Sequence, residues 1–270
     1  MYEKFYGFDE SPFNITPDPR FLFFSEKHRE AFNHLLYGIR ERKGFIQITG
    51  EVGAGKTTLC RALLEELGDG YRTALILNPV MNRDQLLWLV LSELGLDPGA
   101  DDSILRLARL NEYLLDQVGH GHDVVLLIDE AQDLSRELLE QVRLLSNLET
   151  DQCKLLQIVL VGQPELRDLL DQRDLRQLRQ RITVRYHLRP LASWETEAYI
   201  QHRLHVAGAN SRPEFSRAAL WWIHRYSGGV PRLVNALCDK TLLAGYVAGS
   251  DYLTAKHVRR ARHELEGRTR

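Results

Sequence analysis

The chain has 270 residues, a formal net charge of −2 and a hydrophobic content of 44%. That composition fits a globular chain of one large domain, or one plus a smaller one, and its near-neutral balance argues against a general electrostatic grip on nucleic acid or on an anionic membrane. Cys60, Cys153 and Cys238 are odd in number, widely separated and without CxxC spacing, which excludes a disulfide framework or zinc site as the expected organisation and points to reduced thiols in a cytosolic protein.

Residues 1–24 mix Phe5, Tyr6, Phe8 and Phe13 with Pro12, Pro17 and Pro19. Proline at that density opposes a regular helix, and disordered segments are poor in aromatics, so an extended, packed arm is expected. Met1-Tyr2-Glu3-Lys4-Phe5 lacks the apolar core of a signal peptide. Ser25 is placed to cap a helix through Arg42, with Glu26 in its first turn. Phe45–Thr49 is a β-prone run, followed by a glycine-rich loop and then a helical pattern through Leu59, Leu63, Leu64 and Leu67. A second strand is expected at Thr73–Leu77, and helices at Arg83–Leu94 and Ile104–Val118. Val124–Ile128 is a continuous apolar run, as for a parallel strand covered on both faces. Ser135–Leu148 reads as a helix, Leu155–Val161 as a buried strand, and Val184, Tyr186 and Leu188 mark a shorter one. Strands interleaved with helices imply a mostly parallel α/β sheet sandwiched by helices. Beyond Pro190 the pattern changes to helices at Trp194–Val206, Arg217–Tyr226, Val230–Val247 and Thr254–Glu266, with no strand between them. The expected division is an arm at 1–24, an α/β core at 25–190 and a small all-α domain at 191–270. No stretch reaches about 18 apolar residues, so no transmembrane helix is expected, and any membrane role would run through a partner.

Gly50-Glu51-Val52-Gly53-Ala54-Gly55-Lys56-Thr57 fits the phosphate-loop pattern GxxxxGK[ST]. Glycines let such a loop curl so that its N–H groups cradle phosphate oxygens. Lys56 is a point charge for the β- and γ-phosphates. The Thr57 hydroxyl suits Mg²⁺, and the helix beginning there turns its positive end toward the anion. These residues, with Thr58, are the expected binding set for ATP and Mg²⁺.

Asp129-Glu130 closes the Val124 run, at the end of the strand where open α/β sheets bind ligands. Two acids at a strand end would alone read as a solvated cap. Downstream of a phosphate loop, Asp129 reads as the Mg²⁺ carboxylate and Glu130 as the base that orients or deprotonates the attacking water. Gln163, after the next buried strand, could reach the γ-phosphate or that water; otherwise it is a polar loop residue. Arg173, Arg176, Arg179, Arg181, Arg185 and Arg189 crowd one segment. Most belong to solvated helix, but Arg181, just before a strand, is a candidate finger for a neighbouring subunit's nucleotide, with Arg179 the alternative. Arg232 stands in the first turn of a helix started by Pro231, where the macrodipole disfavours a cation unless a phosphate is its partner. His202 and His205 share a helix face but lack an evident third metal ligand. Trp221 and Trp222 are adjacent and cannot share one face, so one is expected in the core and the other on a contact surface.

The assembled set resembles an AAA+ ATPase. The N-terminal Phe-Tyr-Gly-Phe…Ser-Pro-Phe…Thr-Pro-Asp-Pro-Arg-Phe arm, Gly44-Phe45-Ile46, Ile128-Asp129-Glu130-Ala131-Gln132, Leu145–Thr150, Gly162-Gln163-Pro164-Glu165-Leu166 and Gln177–Ile182 look like the ExeA/GspA ATPases of type II secretion. Nearest within that family are the MshM-type ATPases of mannose-sensitive haemagglutinin (MSHA) pilus biogenesis, over nearly the whole chain. The resemblance implies a core, a helical lid and a homo-oligomer with nucleotide at subunit interfaces. It assigns Lys56 and Thr57 to Walker A, Asp129 and Glu130 to Walker B, Gln163 to the first sensor, Arg181 to the finger and Arg232 to the second sensor. The first sensor is usually Asn, Ser or Thr, so Gln163 departs from the pattern. It also implies that the aromatic arm covers adenine, with Phe5, Tyr6 and Phe8 as candidates. ExeA-like proteins often continue into a transmembrane helix and a peptidoglycan-binding domain; neither is read here, which favours the shorter pilus-type relatives.

Three functions follow as expectations. One is a Mg²⁺-dependent ATP hydrolase that drives a type IV pilus or type II secretion machine from the cytoplasmic side through an inner-membrane partner. Another is a DNA-transposition-type regulator, against which the charge of −2 counts. The third is a nucleotide-gated scaffold with little turnover.

Overall fold

A computed structural model of the chain describes residues 1–14, 18–99, 102–151, 153–209 and 212–267; Thr16 and Pro17 of the expected arm lie outside the described residues. Helices α1 (Tyr2–Tyr6) and α2 (Glu26–Arg40) precede the first strand. Contrary to the extended arm expected, Tyr2–Tyr6 is helical. Its first proline is Pro12, so nothing in the run opposes a helical turn, and Gly7 ends it at φ 78°. Ser25 caps α2 as expected, its Oγ accepting from the His28 backbone N–H at 3.2 Å.

Five segments then form β1 (Phe45–Gly50), β2 (Tyr71–Ile76), β3 (Asp123–Ile128), β4 (Leu156–Gly162) and β5 (Ile182–Leu188). They pair in parallel, in the order β2-β3-β4-β1-β5. Parallel pairing requires a crossover after each strand. Helices α3 (Lys56–Leu67), α4 (Arg83–Glu93), α5 (Ser103–Gly119), α6 (Arg136–Leu145), α7 (Glu165–Leu170) and α8 (Arg176–Arg181) lie in those crossovers. Several start on short polar side chains. Asn82 and Gln85 cap α4 reciprocally at 2.9 and 2.8 Å, and Asp102 caps α5 at 3.0 Å. β1 and β4 are buried along their length, as central parallel strands covered on both faces are, with Gln47, Thr49 and Gln157 among their buried side chains. β5 lies at the sheet edge and alternates, with Ile182, Val184 and Leu188 inward. It runs for seven residues, as many as β4, so it is not the shorter strand expected.

Pairing aligns the strand ends. Thr49 lies opposite Gly162, and Ile128 opposite Leu160. Gly50, Asp129 and Gln163 therefore all fall on the carboxyl edge of the sheet.

The remaining chain forms α9 (Ser193–Val206), α10 (Arg217–Ser227), α11 (Pro231–Val247) and α12 (Ala255–Leu265). Two short strands, β6 (Glu214–Phe215) and β7 (Tyr252–Leu253), pair in parallel between them. This corrects the expectation of helices alone; a two-residue strand is too short to show a period.

Contacts divide the chain into two units: Met1–His28, Glu51–Thr58 and Arg189–Arg270 form one, and Arg29–Gly50 with Leu59–Leu188 the other. The sheet unit is centred on Phe45, Ile128, Ile158 and Leu160, with Leu86, Leu91 and Leu139 from the helices. In the other unit Tyr2, Tyr6, Phe8, Phe13 and Phe21 share one core with Ile200, Leu220, Val234 and Val258. The packed aromatic arm is thus part of the helical core. No helix among the described residues is long and apolar enough to cross a membrane. The three cysteines are free thiols.

Candidate functional site

β1 stops at Gly50 and α3 starts at Lys56, leaving the phosphate loop between them. Gly53 and Gly55 have φ of 79° and 96°, where a side chain costs roughly 1–2 kcal/mol. A Cβ on Gly53 would also lie 2.3 Å from the Arg232 Cβ. Lys56 is buried and donates to the Glu51 carbonyl at 3.0 Å. The Arg232 backbone N–H donates to the Gly53 carbonyl at 3.2 Å, so the first turn of α11 touches the loop main chain.

His28, a residue the sequence did not single out, also meets this loop. Its Nε2 lies 3.0 Å from the Ala54 carbonyl and its Nδ1 2.8 Å from Ser25 Oγ. A carbonyl only accepts, so Nε2 carries the proton. Nδ1 then accepts from the Ser25 hydroxyl, whose oxygen already accepts from the His28 backbone. Burial holds this imidazole below its ordinary pKa, opposed by the Ala54 bond and the Glu195 carboxylate. Glu195, itself buried, accepts from the N–H groups of Ala192 and Glu26 at 2.9 and 3.1 Å. A serine three residues before a histidine was the only signal for this chain of bonds.

In the sheet unit, Asp129 is buried and accepts from the Glu130 N–H at 2.9 Å. Glu130 has φ 49° and ψ 38°, an uncommon left-handed conformation for a side-chain-bearing residue. Its Oε2 accepts from Gln132 Nε2 at 2.8 Å and from Gln163 Nε2 at 3.2 Å. The other end of the Gln132 amide accepts from the Gln163 N–H at 2.9 Å. Glu130, Gln132 and Gln163 therefore form a closed ring of bonds. Gly162 makes room for it, since a Cβ there would sit 2.8 Å from Gln132 Oε1. The sequence brought out Glu130 and Gln163 but not Gln132, which lay only within a string of resemblance.

Other candidates are placed differently. Arg181 donates to Ser146 Oγ at 2.7 Å, inside its own unit. Arg179 is more exposed and pairs with Asp171 at 3.2 Å. The Tyr6 ring is buried, and its hydroxyl donates to the Leu242 and Ser250 carbonyls at 3.0 and 3.2 Å. Burial pushes its phenol up to about 12. Phe8 is buried as well, so of the three adenine candidates Phe5 alone has a partly exposed ring, edge-on to Tyr6 and Tyr246. The Tyr6 ring, one of the adenine candidates, is taken up by the apolar core of the arm. His202 and His205 belong to no cluster of three or more metal-ligating side chains among the described residues. Trp221 is exposed while Trp222 packs partly into the core, stacked on Tyr226.

A parallel five-stranded sheet with flanking helices and a phosphate loop after β1 defines the AAA+ P-loop fold. Residues 39–170 match the family model described as AAA domain. The particular relative is a secretion protein: the chain is 46% identical over 268 residues to General secretion pathway protein A of Aeromonas hydrophila, covering 99% of this chain and 49% of that protein. That likeness supports the GspA family, and the chain spans about half the length of the curated relative it matches. Among solved structures, Cdc6p from Pyrobaculum aerophilum aligns with TM-score 0.73 and 18% identity over 95% of this chain and 71% of its own. The Aeropyrum pernix ORC2 protein, solved as ADPNP–ADP complexes, gives 0.69 and 18% over 97% and 73%. At that identity these two show the fold alone.

Proposed function

We propose that the chain is a Mg²⁺-dependent ATP hydrolase of the GspA type, acting on the cytoplasmic side of a type II secretion or type IV pilus machine. The observation that carries hydrolysis is Glu130: a carboxylate on a left-handed backbone, gripped by two amide donors at the carboxyl edge of the sheet. Uncommon backbone geometry at such an edge is a mark of an aimed side chain. Gly50–Thr58 would hold the triphosphate, with Lys56 supplying charge. Mg²⁺ is commonly held by one or two side-chain oxygens plus phosphates and water, and the Thr57 hydroxyl with the Asp129 carboxylate fits that donor set. Bound there, the ion would neutralise phosphate charge. Glu130 would take the proton of the attacking water, and Gln163, through the amide ring, would fix the carboxylate's direction. Arg232 would serve as a lid sensor, which its main-chain bond to Gly53 favours.

The wider reading is a homo-oligomer with nucleotide at subunit interfaces, completed by an arginine finger and coupled to an inner-membrane partner. It rests on the GspA likeness. The MSHA branch, the division into an arm, a core at 25–190 and a lid at 191–270, and adenine covered by Phe5 are parts of the same proposal. Phosphate release tests it: wild type is expected to turn over only with Mg²⁺, and Lys56→Ala and Glu130→Gln to abolish turnover. Unchanged turnover in Glu130→Gln would overturn the assigned base.

A second reading, DNA-coupled hydrolysis, is favoured by one feature. Residues 191–270 hold twelve Lys and Arg against seven Asp and Glu, so the basic charge is concentrated in the helical part. A flat DNA-binding titration at low salt would remove it.

A further inference from the structure

One face of the β1–β5 pair breaks the apolar pattern of the sheet unit. Phe45, Gln47 and Thr49 alternate onto a single face. Gln47 stands opposite Arg185 and Thr49 opposite His187. Thr49 Oγ1 and His187 Nδ1 lie 3.0 Å apart. Gln47 is 5% exposed, yet its Nε2 has no hydrogen-bond partner. Such an orphaned donor costs about 1–3 kcal/mol unless something accepts from it. It lines a cavity of about 310 Å³ whose apolar walls include Leu170 and Ile182. Arg167, Arg179 and Arg185 line the same cavity, with Asp171 the one acid, already paired to Arg179.

We propose that this cavity is an oxyanion site that takes a phosphate group, held by Arg167 and Arg185 at the rim and by the Gln47 amide at the floor. The chemistry is selective. The floor offers a neutral donor that needs an acceptor, and the rim offers guanidinium forks in excess over carboxylate, which suit a tetrahedral oxyanion. The size admits either free phosphate or the terminal phosphate of a nucleotide. This site does not depend on the phosphate loop and stands whether or not the ATPase reading holds.

The test uses the full chain carrying Lys56→Ala, which disables the phosphate loop. Inorganic phosphate and ADP are titrated separately by calorimetry at low salt. Saturable binding of either, weakened about tenfold by Arg185→Gln or Arg167→Gln and by added salt, is expected; the tighter probe identifies the source. Gln47→Leu should weaken it too, but the rim variants, at exposed positions, decide if that protein misfolds. No saturable binding of either probe, or binding unchanged in both rim variants, overturns the site.

Discussion

Gln132→Leu removes both ends of the amide that closes the Glu130 ring while keeping the side chain's bulk. Two bonds are lost: 2.8 Å to the Glu130 carboxylate and 2.9 Å from the Gln163 N–H. The first is charge-assisted, worth about 1.5–3 kcal/mol. If Glu130 uses that bond to aim at water, the loss appears in the barrier, and 1.36 kcal/mol is about tenfold in rate. Turnover is thus expected to fall roughly 10- to 100-fold, with KM for ATP changed less than about threefold. The second bond leaves the Gln163 N–H without its acceptor, at about 1–3 kcal/mol. At roughly 2–4 °C per kcal/mol, Tm should drop by about 2–12 °C. Steady-state phosphate release and a thermal melt read the two effects separately. A lowered Tm with unchanged kcat would refute the aiming role and leave Gln132 a structural tie. A raised KM with unchanged kcat would place it in nucleotide binding instead.

Further outcomes follow from other contacts. Gly53→Ala is expected to weaken ATP binding at least about tenfold, because its Cβ meets the Arg232 Cβ at 2.3 Å, an atom with no freedom to swing away. Gly228→Ala, at φ 59° with open space around it, should cost only the backbone strain, about 1 kcal/mol, and leave binding alone; equal losses in both would refute the close-approach argument. His28 has a depressed folded pKa, so the unfolded chain takes up its proton first: its contribution to stability is present above the ordinary histidine value near 6.5 and is lost as pH falls from there toward the folded pKa. Because His202 and His257 are lowered in the same direction, the check is the difference in Tm–pH slope between wild type and His28→Gln, which should be flatter; identical slopes would count against it. Turnover per subunit should rise with protein concentration. A true finger variant loses that rise with Tm kept, whereas Arg181→Ala, if only its Ser146 bond matters, loses Tm with turnover kept.

The sheet was readable because buried parallel strands are mostly apolar, as Val124–Ile128 is throughout and Leu156–Val161 is at every position but Gln157. The phosphate loop was readable because GxxxxGKT is a local string. What stayed hidden depends on contacts far apart in the chain. His28 and Ala54 meet across 26 positions, and Gln132 and Gln163 across 31. No local period reports such pairs. The anchoring of Tyr6 stayed hidden for the same reason, since its hydroxyl's acceptors lie 236 and 244 residues away. Arg181 was chosen for its place before a strand, and the acceptor it meets, Ser146, is on another element.

The arm's membership of the helical core sets an order of events during synthesis. Tyr2 donates to Asp239 at 2.5 Å, and Asp9 N–H to Ala207 at 2.9 Å. The ring-bearing segment therefore leaves the ribosome long before its packing partners exist. At about 5–20 residues per second, the interval between Phe21 and the helices that begin beyond Ser193 is about 10–30 s. For that time five aromatic side chains must wait in water or in a chaperone's grip, and the sheet unit can fold first. A ribosome stalled before α9 should therefore hold a structured sheet and a protease-sensitive amino-terminal arm.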